Sequence, residues 1–315
     1  MQLPELSDII QSYKRINPFI HRTPVMTSKQ INKIFGGELF FKCENFQKTG
    51  SFKFRGATNA VLQLNDKEKK QGVITHSSGN HAAALALAAS TFGIKSFAVM
   101  PVNAPNVKKN AVKGYGAEIV FCEPTQKARE QTTLEIIDKN GTILIHPYSN
   151  FNVICGQGTA SVEFLEQIPD LDIIITPVGG GGLLSGTATA VKGLNSHIKV
   201  FGAEPENAND AFISFTTGIL HPSLSPNTVA DGLLTSLCEL TFTVIRRYVD
   251  WIYTVSEESI VECMRLIWER MKIIIEPSSA VTLAVIKENP ELLIGKKAGL
   301  ILSGGNVELG RLPFN

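Results

Sequence analysis

From residue 72 onward, short apolar runs alternate with longer segments of helical periodicity, and this alternation constrains the fold more than any other feature. The short runs are apolar on both faces, which is typical of parallel strands covered by helices. Strands are predicted at 72–77, 96–100, 118–122, 142–146, 173–178, 199–203 and 298–302, and helices at 80–92, 108–113, 127–139 and 183–194. The sequence therefore predicts an α/β fold.

Three loops rich in small and polar residues directly follow three of these predicted strands. They are residues 77–81, 179–183 and 303–306. Because parallel sheets place their ligands at the carboxyl ends of strands, these loops are the predicted ligand-binding loops.

Charge and composition exclude several classes of partner. The formal net charge of +1 argues against nucleic acid or an anionic membrane. The N-terminus has neither an apolar signal region nor an Arg-rich transit pattern. The charge-free stretch 173–191 contains Pro177 and a run of four glycines, so it would span a membrane poorly. Five cysteines without C-x-x-C spacing indicate thiols in a reducing compartment. We expect a cytoplasmic protein with a small-molecule ligand.

A run of four glycines, Gly179, Gly180, Gly181 and Gly182, opens the predicted helix that starts near Leu183. Consecutive glycines allow several backbone N–H groups to point at one anion at a helix N-terminus, and a phosphate dianion fits such a nest. A flexible turn is the plainer interpretation. A dinucleotide fingerprint fits poorly, because the run is contiguous and lies in the middle of the chain.

Lys53 lies between Phe52 and Phe54. Such a lysine commonly keeps its amine in solvent, but burial would lower its pKa and make it a good Schiff-base amine. Ser303 ends the last predicted strand, either as an ordinary turn residue or as a hydroxyl partner for a pyridine nitrogen. An amine, a phosphate nest and a ring-nitrogen partner together are what pyridoxal phosphate (PLP) requires.

Two further clusters have both a structural and a chemical interpretation. The segment Ser77-Ser78-Gly79-Asn80-His81 can cap the helix that follows it, or its N–H groups and hydroxyls can bind a substrate carboxylate. The acids Glu204, Glu206 and Asp210 follow the predicted strand 199–203, and they are either solvated or ligands of a hard cation.

The chain resembles, over nearly its full length, fold-type II PLP enzymes of the serine racemase and serine/threonine dehydratase family, which are tryptophan synthase β-like. The motifs that carry the resemblance are residues 51–56, 77–81, 179–183, Glu204-Pro205 with Asp210, Glu276-Pro277, and 303–306. The resemblance implies two doubly wound parallel-sheet domains. Residues 1–71 plus 149–315 would form the large PLP-binding domain, and residues 72–148 the small domain that closes over the substrate.

The resemblance also implies a role for each matching residue. Lys53 would form the Schiff base, Phe52 would pack on the cofactor ring, Asn80 would bind its 3-oxygen and Ser303 would meet its ring nitrogen. The phosphate would be held by Gly179, Gly180, Gly181, Gly182 and Leu183. The substrate would be bound by Ser77, Ser78, Asn80 and His81, with Arg129 and Asp231 as closing contacts.

Ser78 decides between the reactions that the family catalyses. Racemisation needs proton-transfer groups on both faces of the α-carbon, and the resemblance gives Lys53 one face and Ser78 the other, where dehydratases often have alanine. We therefore expect a serine racemase activity that interconverts L- and D-serine, with β-elimination to pyruvate and ammonia as a side activity. The alternatives are an L-threonine/L-serine dehydratase, a 3-hydroxyaspartate dehydratase or racemase, and a non-catalytic amino-acid sensor, which would not need Lys53.

The resemblance extends to a metal and a nucleotide. Glu204, the Ala208 carbonyl and Asp210 match the family's divalent-cation loop, for Mg²⁺ or else Ca²⁺ or Mn²⁺. The positions that match ATP contacts are Lys48, Thr49, Tyr115, Lys272 and Asn306. Two positions depart from the family pattern. Tyr148 stands where some racemases have asparagine, although aromatic residues also occur there in racemase-like members and in dehydratases, and Ala83 replaces the glutamine of nucleotide-activated racemases. A homodimer is the expected assembly.

Overall fold

The computed structural model describes residues 1–77, 79–104 and 106–314. The strands in this part of the chain are β1 Val25–Met26, β2 Glu38–Cys43, β3 Val73–Thr75, β4 Ser96–Pro101, β5 Glu118–Cys122, β6 Ile143–Leu144, β7 Ile173–Pro177, β8 Lys199–Pro205, β9 Trp251–Val255 and β10 Lys297–Leu302. The helices are α1 Leu6–Ile16, α2 Lys29–Phe35, α3 Lys53–Leu62, α4 Asp66–Gln71, α5 Asn80–Thr91, α6 Asn106–Gly114, α7 Gln126–Asn140, α8 Phe151–Gln167, α9 Gly182–Leu194, α10 Asp210–Thr217, α11 Glu239–Tyr248, α12 Glu257–Met271 and α13 Pro277–Glu288.

The larger sheet has six strands in the order β1-β2-β10-β7-β8-β9, and only the short edge strand β1 is antiparallel to its neighbour. Every residue of β7 is buried, as expected for a strand with helices on both faces. The register places Leu302 opposite Cys43 and Pro177 opposite Ala203, so the carboxyl ends of the central strands lie along one edge.

The smaller sheet has four parallel strands in the order β5-β4-β3-β6. All four lie between residues 73 and 144, whereas the strands of the larger sheet lie before or after this segment. The division into a large domain of residues 1–71 plus 149–315 and a small domain of residues 72–148 stays a prediction. The prediction of an α/β fold with parallel sheets is confirmed.

A fully buried cluster of four charged side chains lies under the first turn of α3. The Arg55 guanidinium donates to Glu44 at 2.7 Å and to Glu163 at 2.8 Å, and Lys42 Nζ donates to Glu163 at 2.9 Å. All four side chains have zero exposure. Two positive and two negative charges balance here, and the cluster fixes α3, whose first residue is Lys53, against α8.

The charge-free stretch 173–191 forms β7, a glycine loop and most of α9, as predicted. Within the described residues, no helix is both long enough and apolar enough to cross a membrane. Strand β8 runs two residues further than the predicted strand 199–203, because it pairs with β9 as far as Pro205 opposite Val255. Glu204 therefore belongs to a strand, and the prediction that it lies in a loop after the strand is wrong.

Candidate active site

A cavity of about 450 Å³ opens at the carboxyl ends of β3, β7 and β10. Its walls include Ser77 and residues 79–81, the whole segment 179–183, and Ser303. The three loops predicted from the sequence are thus brought together around one space, as the placement of ligands in parallel sheets requires.

Lys53 begins α3 and its amine lines the cavity. Its Nζ donates a hydrogen bond to the carbonyl oxygen of Pro147 at 3.1 Å and lies 4.9 Å from the centre of the Phe52 ring. Burial lowers the pKa of Lys53 to about 8, against the opposing effect of the Glu276 carboxylate, which raises it. A large fraction of this amine is therefore neutral, and hence nucleophilic, at mildly alkaline pH.

The lowered pKa predicts how Lys53 reacts in the cofactor-free protein. Acylation of its amine, measured by peptide mass spectrometry after a short pulse of reagent, is expected to be half-maximal near pH 8, compared with about 10.4 for an ordinary lysine. Glu276→Gln removes the carboxylate that favours the ammonium, so it should shift the midpoint to lower pH. A midpoint near pH 10 in the wild type would contradict the lowered pKa.

The four glycines form a close-fitting turn at the N-terminus of α9. Gly181 has φ +82°, which favours glycine, and a Cβ at Gly180 would lie 2.3 Å from Cδ1 of Tyr148. A side chain at either position would fill the turn or strain it. The first N–H groups of α9 have no acceptor within the helix, and residues 179–183 line the cavity, so this helix end is a candidate anion site.

Ser303, which directly follows β10, and Asn80, the first residue of α5, both line the cavity. Ser303 Oγ lies 3.1 Å from Ser279 Oγ. Asn80 Nδ2 donates to both oxygens of Glu276 at 3.0 Å, and burial raises the pKa of this carboxyl to about 7. Glu276 thus fixes the orientation of Asn80, whose side-chain oxygen accepts from Asn306 Nδ2 at 2.9 Å.

The residues predicted to bind the substrate surround the N-terminus of α5. Ser77 Oγ accepts from the N–H of Gly79 at 3.3 Å. The His81 ring is buried with Nε2 at 2.9 Å from the carbonyl of Ile145, and burial lowers its pKa to about 3, so it is neutral. Arg129 and Asp231 also line the cavity, and Asp231 is paired with Lys108. Ser78 lies outside the described residues.

Of the predicted cation ligands, Glu204 lies in β8 just before the strand ends at Pro205, and Ala208 and Asp210 follow the strand. Glu204 is fully buried, and its two oxygens accept from the N–H groups of Ala211 at 3.0 Å and Phe212 at 2.8 Å. Both oxygens of Asp210 are buried without a well-formed hydrogen bond. Burial raises the pKa of Asp210 to about 6, although nearby Ser223 and the Leu237 backbone act in the opposite direction. Two buried carboxylate oxygens without well-formed hydrogen bonds are suitable ligands for a bound cation.

A second cavity of about 420 Å³ adjoins the first and shares Asn80, Lys108 and Asp231 with it. Of the predicted nucleotide contacts, Thr49, Tyr115 and Asn306 line this second cavity. The other two are not among the described residues of its wall. Lys48 Nζ donates to the carbonyl of Phe19, and Lys272 directly follows α12 as its C-cap, with φ +59°.

Several residues of the site were not assigned from the sequence. Glu276 was noted only as part of a motif, although an acid immediately before a helix that begins with Pro277 was a usable signal. Lys108 lies in a predicted basic helix, where nothing distinguishes it from its neighbours. The Pro147 carbonyl, which contacts Lys53, has no sequence signal, because every residue carries this group.

Comparisons with known proteins agree with this geometry. Residues 16–304 match the family model described as "Pyridoxal-phosphate dependent enzyme". The chain is 52% identical to a serine racemase of Dictyostelium discoideum, with 98% of this chain and 96% of the relative covered. It is 47% identical to a beta-hydroxyaspartate dehydratase of Paracoccus denitrificans, with 100% of both covered. The solved structure of maize serine racemase superposes with a TM-score of 0.96 at 43% identity, over 98% of this chain and 95% of that one.

Proposed function

This chain belongs to the family of pyridoxal-phosphate dependent enzymes, with the fold of its fold-type II members, and we infer that it interconverts L- and D-serine. Elimination of water from serine, which yields pyruvate and ammonia, accompanies this reaction. The observation that carries the proposal is that Lys53, whose pKa is lowered to about 8, lines the same cavity as the four consecutive glycines 179–182. Serine racemases among the relatives specify the substrate.

The residues present fit PLP. Lys53 would attach the aldehyde, the N–H groups of residues 179–183 would hold the phosphate and Ser303 would meet the ring nitrogen. Phe52 would pack on the ring and Asn80, held by Glu276, would bind the 3-oxygen. When bound, the cofactor supplies the electron sink that makes the substrate's α-proton acidic.

The substrate would be bound through its carboxylate at the N-terminus of α5, where Ser77, Asn80 and the neutral His81 are available. An anion is stabilised there by the free N–H groups of the helix. Lys53 would then move a proton at one face of the α-carbon. We assign the opposite face to Ser78, on the basis of the resemblance and of the hydroxyl that this position carries.

Ser78→Ala separates the two activities. The variant should lose D-serine formation by about 100-fold or more, because removing one proton-transfer group costs about that much. Pyruvate formation should persist, because elimination requires only the proton that Lys53 removes. Both products are measured from L-serine, by chiral chromatography and by a coupled pyruvate assay. Equal losses of both products would contradict this role. Ser77→Ala, which removes a neighbouring hydroxyl proposed to bind the substrate carboxylate, should instead lower both products alike.

A 3-hydroxyaspartate dehydratase is the second candidate, since a relative at 47% identity has the name beta-hydroxyaspartate dehydratase. Arg129 and Lys108 also line the cavity and could pair with a second carboxylate. Lys108, however, already pairs with Asp231. We therefore retain serine as the main substrate.

We further propose that Glu204, the Ala208 carbonyl and Asp210 bind Mg²⁺, with Ca²⁺ or Mn²⁺ as alternatives. The support is the pair of buried Asp210 oxygens, neither of which has a well-formed hydrogen bond. ATP as an activator, in the second cavity, is a weaker proposal, because only three of its five predicted contacts line that space. A homodimer in the cytoplasm completes the proposal.

Removal of the cation tests the metal site. Mg²⁺ at 100 times its Kd should stabilise the wild-type protein by about 2.7 kcal/mol, which a thermal melt with and without chelator would detect. Asp210→Ala should abolish this increment. Asp66→Ala, which removes a carboxylate that is 95% exposed, should leave it unchanged. An increment that persists in Asp210→Ala would contradict the assigned site.

A further inference from the structure

The segment between β6 and α8 supplies the carbonyl that contacts the amine of Lys53. Pro147 O accepts the hydrogen bond from Lys53 Nζ at 3.1 Å. Pro147 and Tyr148 line the cavity, whereas His146 is not among the described residues of its wall. The contacts that the structure gives the His146 ring lie in the turn itself and with the neighbouring rings.

The imidazole of His146 closes this turn. Its Nδ1 accepts hydrogen bonds from the backbone N–H of Ser149 at 2.9 Å and from that of Tyr148 at 3.3 Å. The two N–H groups belong to the residues two and three positions after His146. The contacts therefore resemble an Asx turn, in which an Asn or Asp side chain accepts from backbone N–H groups that follow it in the chain. Nδ1 can accept them only while it is unprotonated, so the proton of the neutral ring must be on Nε2.

The surroundings keep this ring neutral. Burial, followed by the nearby His76 and Lys53, lowers the pKa of His146 to about 3. The ring packs edge-on against His76 at 5.0 Å and against Tyr148 at 4.6 Å between ring centres. The other charged groups near this cluster are Arg129, which opposes protonation of His76, and Glu130, which favours it. His81 faces the same region and is also neutral.

The turn also contacts the predicted phosphate site. A Cβ at Gly180 would lie 2.3 Å from the Tyr148 ring, and a Cβ at Gly182 would lie 3.0 Å from Tyr148 Cβ. The glycine loop and the turn are therefore in direct packing contact. A change in the turn would alter the Lys53 contact and the glycine loop together.

We propose that His146 is a positioning residue, whose neutral imidazole holds the turn 146–149 so that the Pro147 carbonyl orients the Lys53 amine toward the cofactor aldehyde. The inference rests on the proposed function, which assigns Lys53 as the attaching amine. Attachment joins the aldehyde carbon to Nζ and releases one water molecule, so its rate depends on how the nitrogen lone pair is directed.

Two substitutions at this position test the proposal. His146→Ala removes the acceptor, and its cofactor-free protein should capture added PLP about 10- to 100-fold more slowly, as expected for a misplaced reacting group. His146→Asn supplies an Asx-type acceptor, and its capture rate should lie within about threefold of the wild type. To measure the capture rate, the reaction is stopped at set times with borohydride, which makes the attachment of PLP permanent. The fraction of chains that carry PLP is then measured by intact-protein mass spectrometry, with no substrate present.

Equal rates in His146→Ala and the wild type would overturn the proposal, as would equal slowing in the two variants. If His146→Ala does not fold, ¹⁵N NMR of the wild-type imidazoles decides, with the His146 signal assigned by its loss in His146→Asn. The Nε2–H tautomer should persist between pH 5 and pH 8, and an Nδ1–H tautomer or a cation in that range would contradict the role. A wild-type protein that captures no PLP would instead refute the proposed function.

Discussion

Lys53→Ala is expected to abolish covalent attachment of PLP and to lower turnover of L-serine by about 10⁴-fold or more. The expectation follows from the position of the amine. Lys53 begins α3, its amine contacts the Pro147 carbonyl, and it lines the same cavity as the N-terminus of α9. Among the described residues that line this cavity, the other lysine is Lys108, which is paired with Asp231.

Borohydride treatment followed by mass spectrometry measures the attachment, and D-serine plus pyruvate formation measures the turnover. Lys67→Ala, which removes an exposed lysine on α4, is the matched control and should behave as the wild type. A Lys53→Ala protein that retains more than about one hundredth of the wild-type turnover would show that another group carries the chemistry.

Arg55→Met is expected to lower the free energy of unfolding by about 3–5 kcal/mol, because it leaves Glu44 and Glu163 buried without their main partner. Lys42 would then face two carboxylates alone. All of these side chains have zero exposure, so water cannot replace the lost guanidinium. Since the cluster anchors the first turn of α3, the variant should also lose affinity for PLP.

The exposed pair formed by Arg22 and Glu166 provides the matched control for this prediction. Their side chains are 47% and 45% exposed, and Arg22→Met should cost only about 0–1 kcal/mol. Urea titrations of the PLP-loaded proteins compare the two variants directly. If the two variants lost similar amounts of the free energy of unfolding, the buried contacts of Arg55 would stabilise the protein no more than the exposed contact of Arg22.

The convergence of the three ligand loops could be predicted from the sequence, because its physical cause is simple. Strands β3, β7 and β10 are apolar and belong to parallel sheets, so each one delivers the loop that follows it to a carboxyl edge. The lysine and the glycine run then indicated the kind of ligand by their own chemistry. The resemblance supplied the roles of Asn80 and Ser303, which their residue types alone left open.

Other features depend on long-range packing that local sequence does not encode. The group of Pro147 that contacts Lys53 is its main-chain carbonyl. The position of this carbonyl depends on the turn that the His146 side chain closes. The extent of β8 is set by its pairing with β9, which is why Glu204 belongs to the strand. Lys48 matches a predicted nucleotide contact by its position in the sequence. In the fold, however, its amine donates a hydrogen bond to the carbonyl of Phe19.

The central claim is that this enzyme moves the α-proton of serine between the two faces of the α-carbon. The most direct measurement incubates the PLP-loaded protein with L-serine and Mg²⁺ and resolves the two serine enantiomers by chiral chromatography, with pyruvate measured in parallel. We predict that D-serine accumulates alongside pyruvate, and that a reaction started with D-serine yields L-serine. Pyruvate without any D-serine, or turnover of 3-hydroxyaspartate but not of serine, would contradict the account.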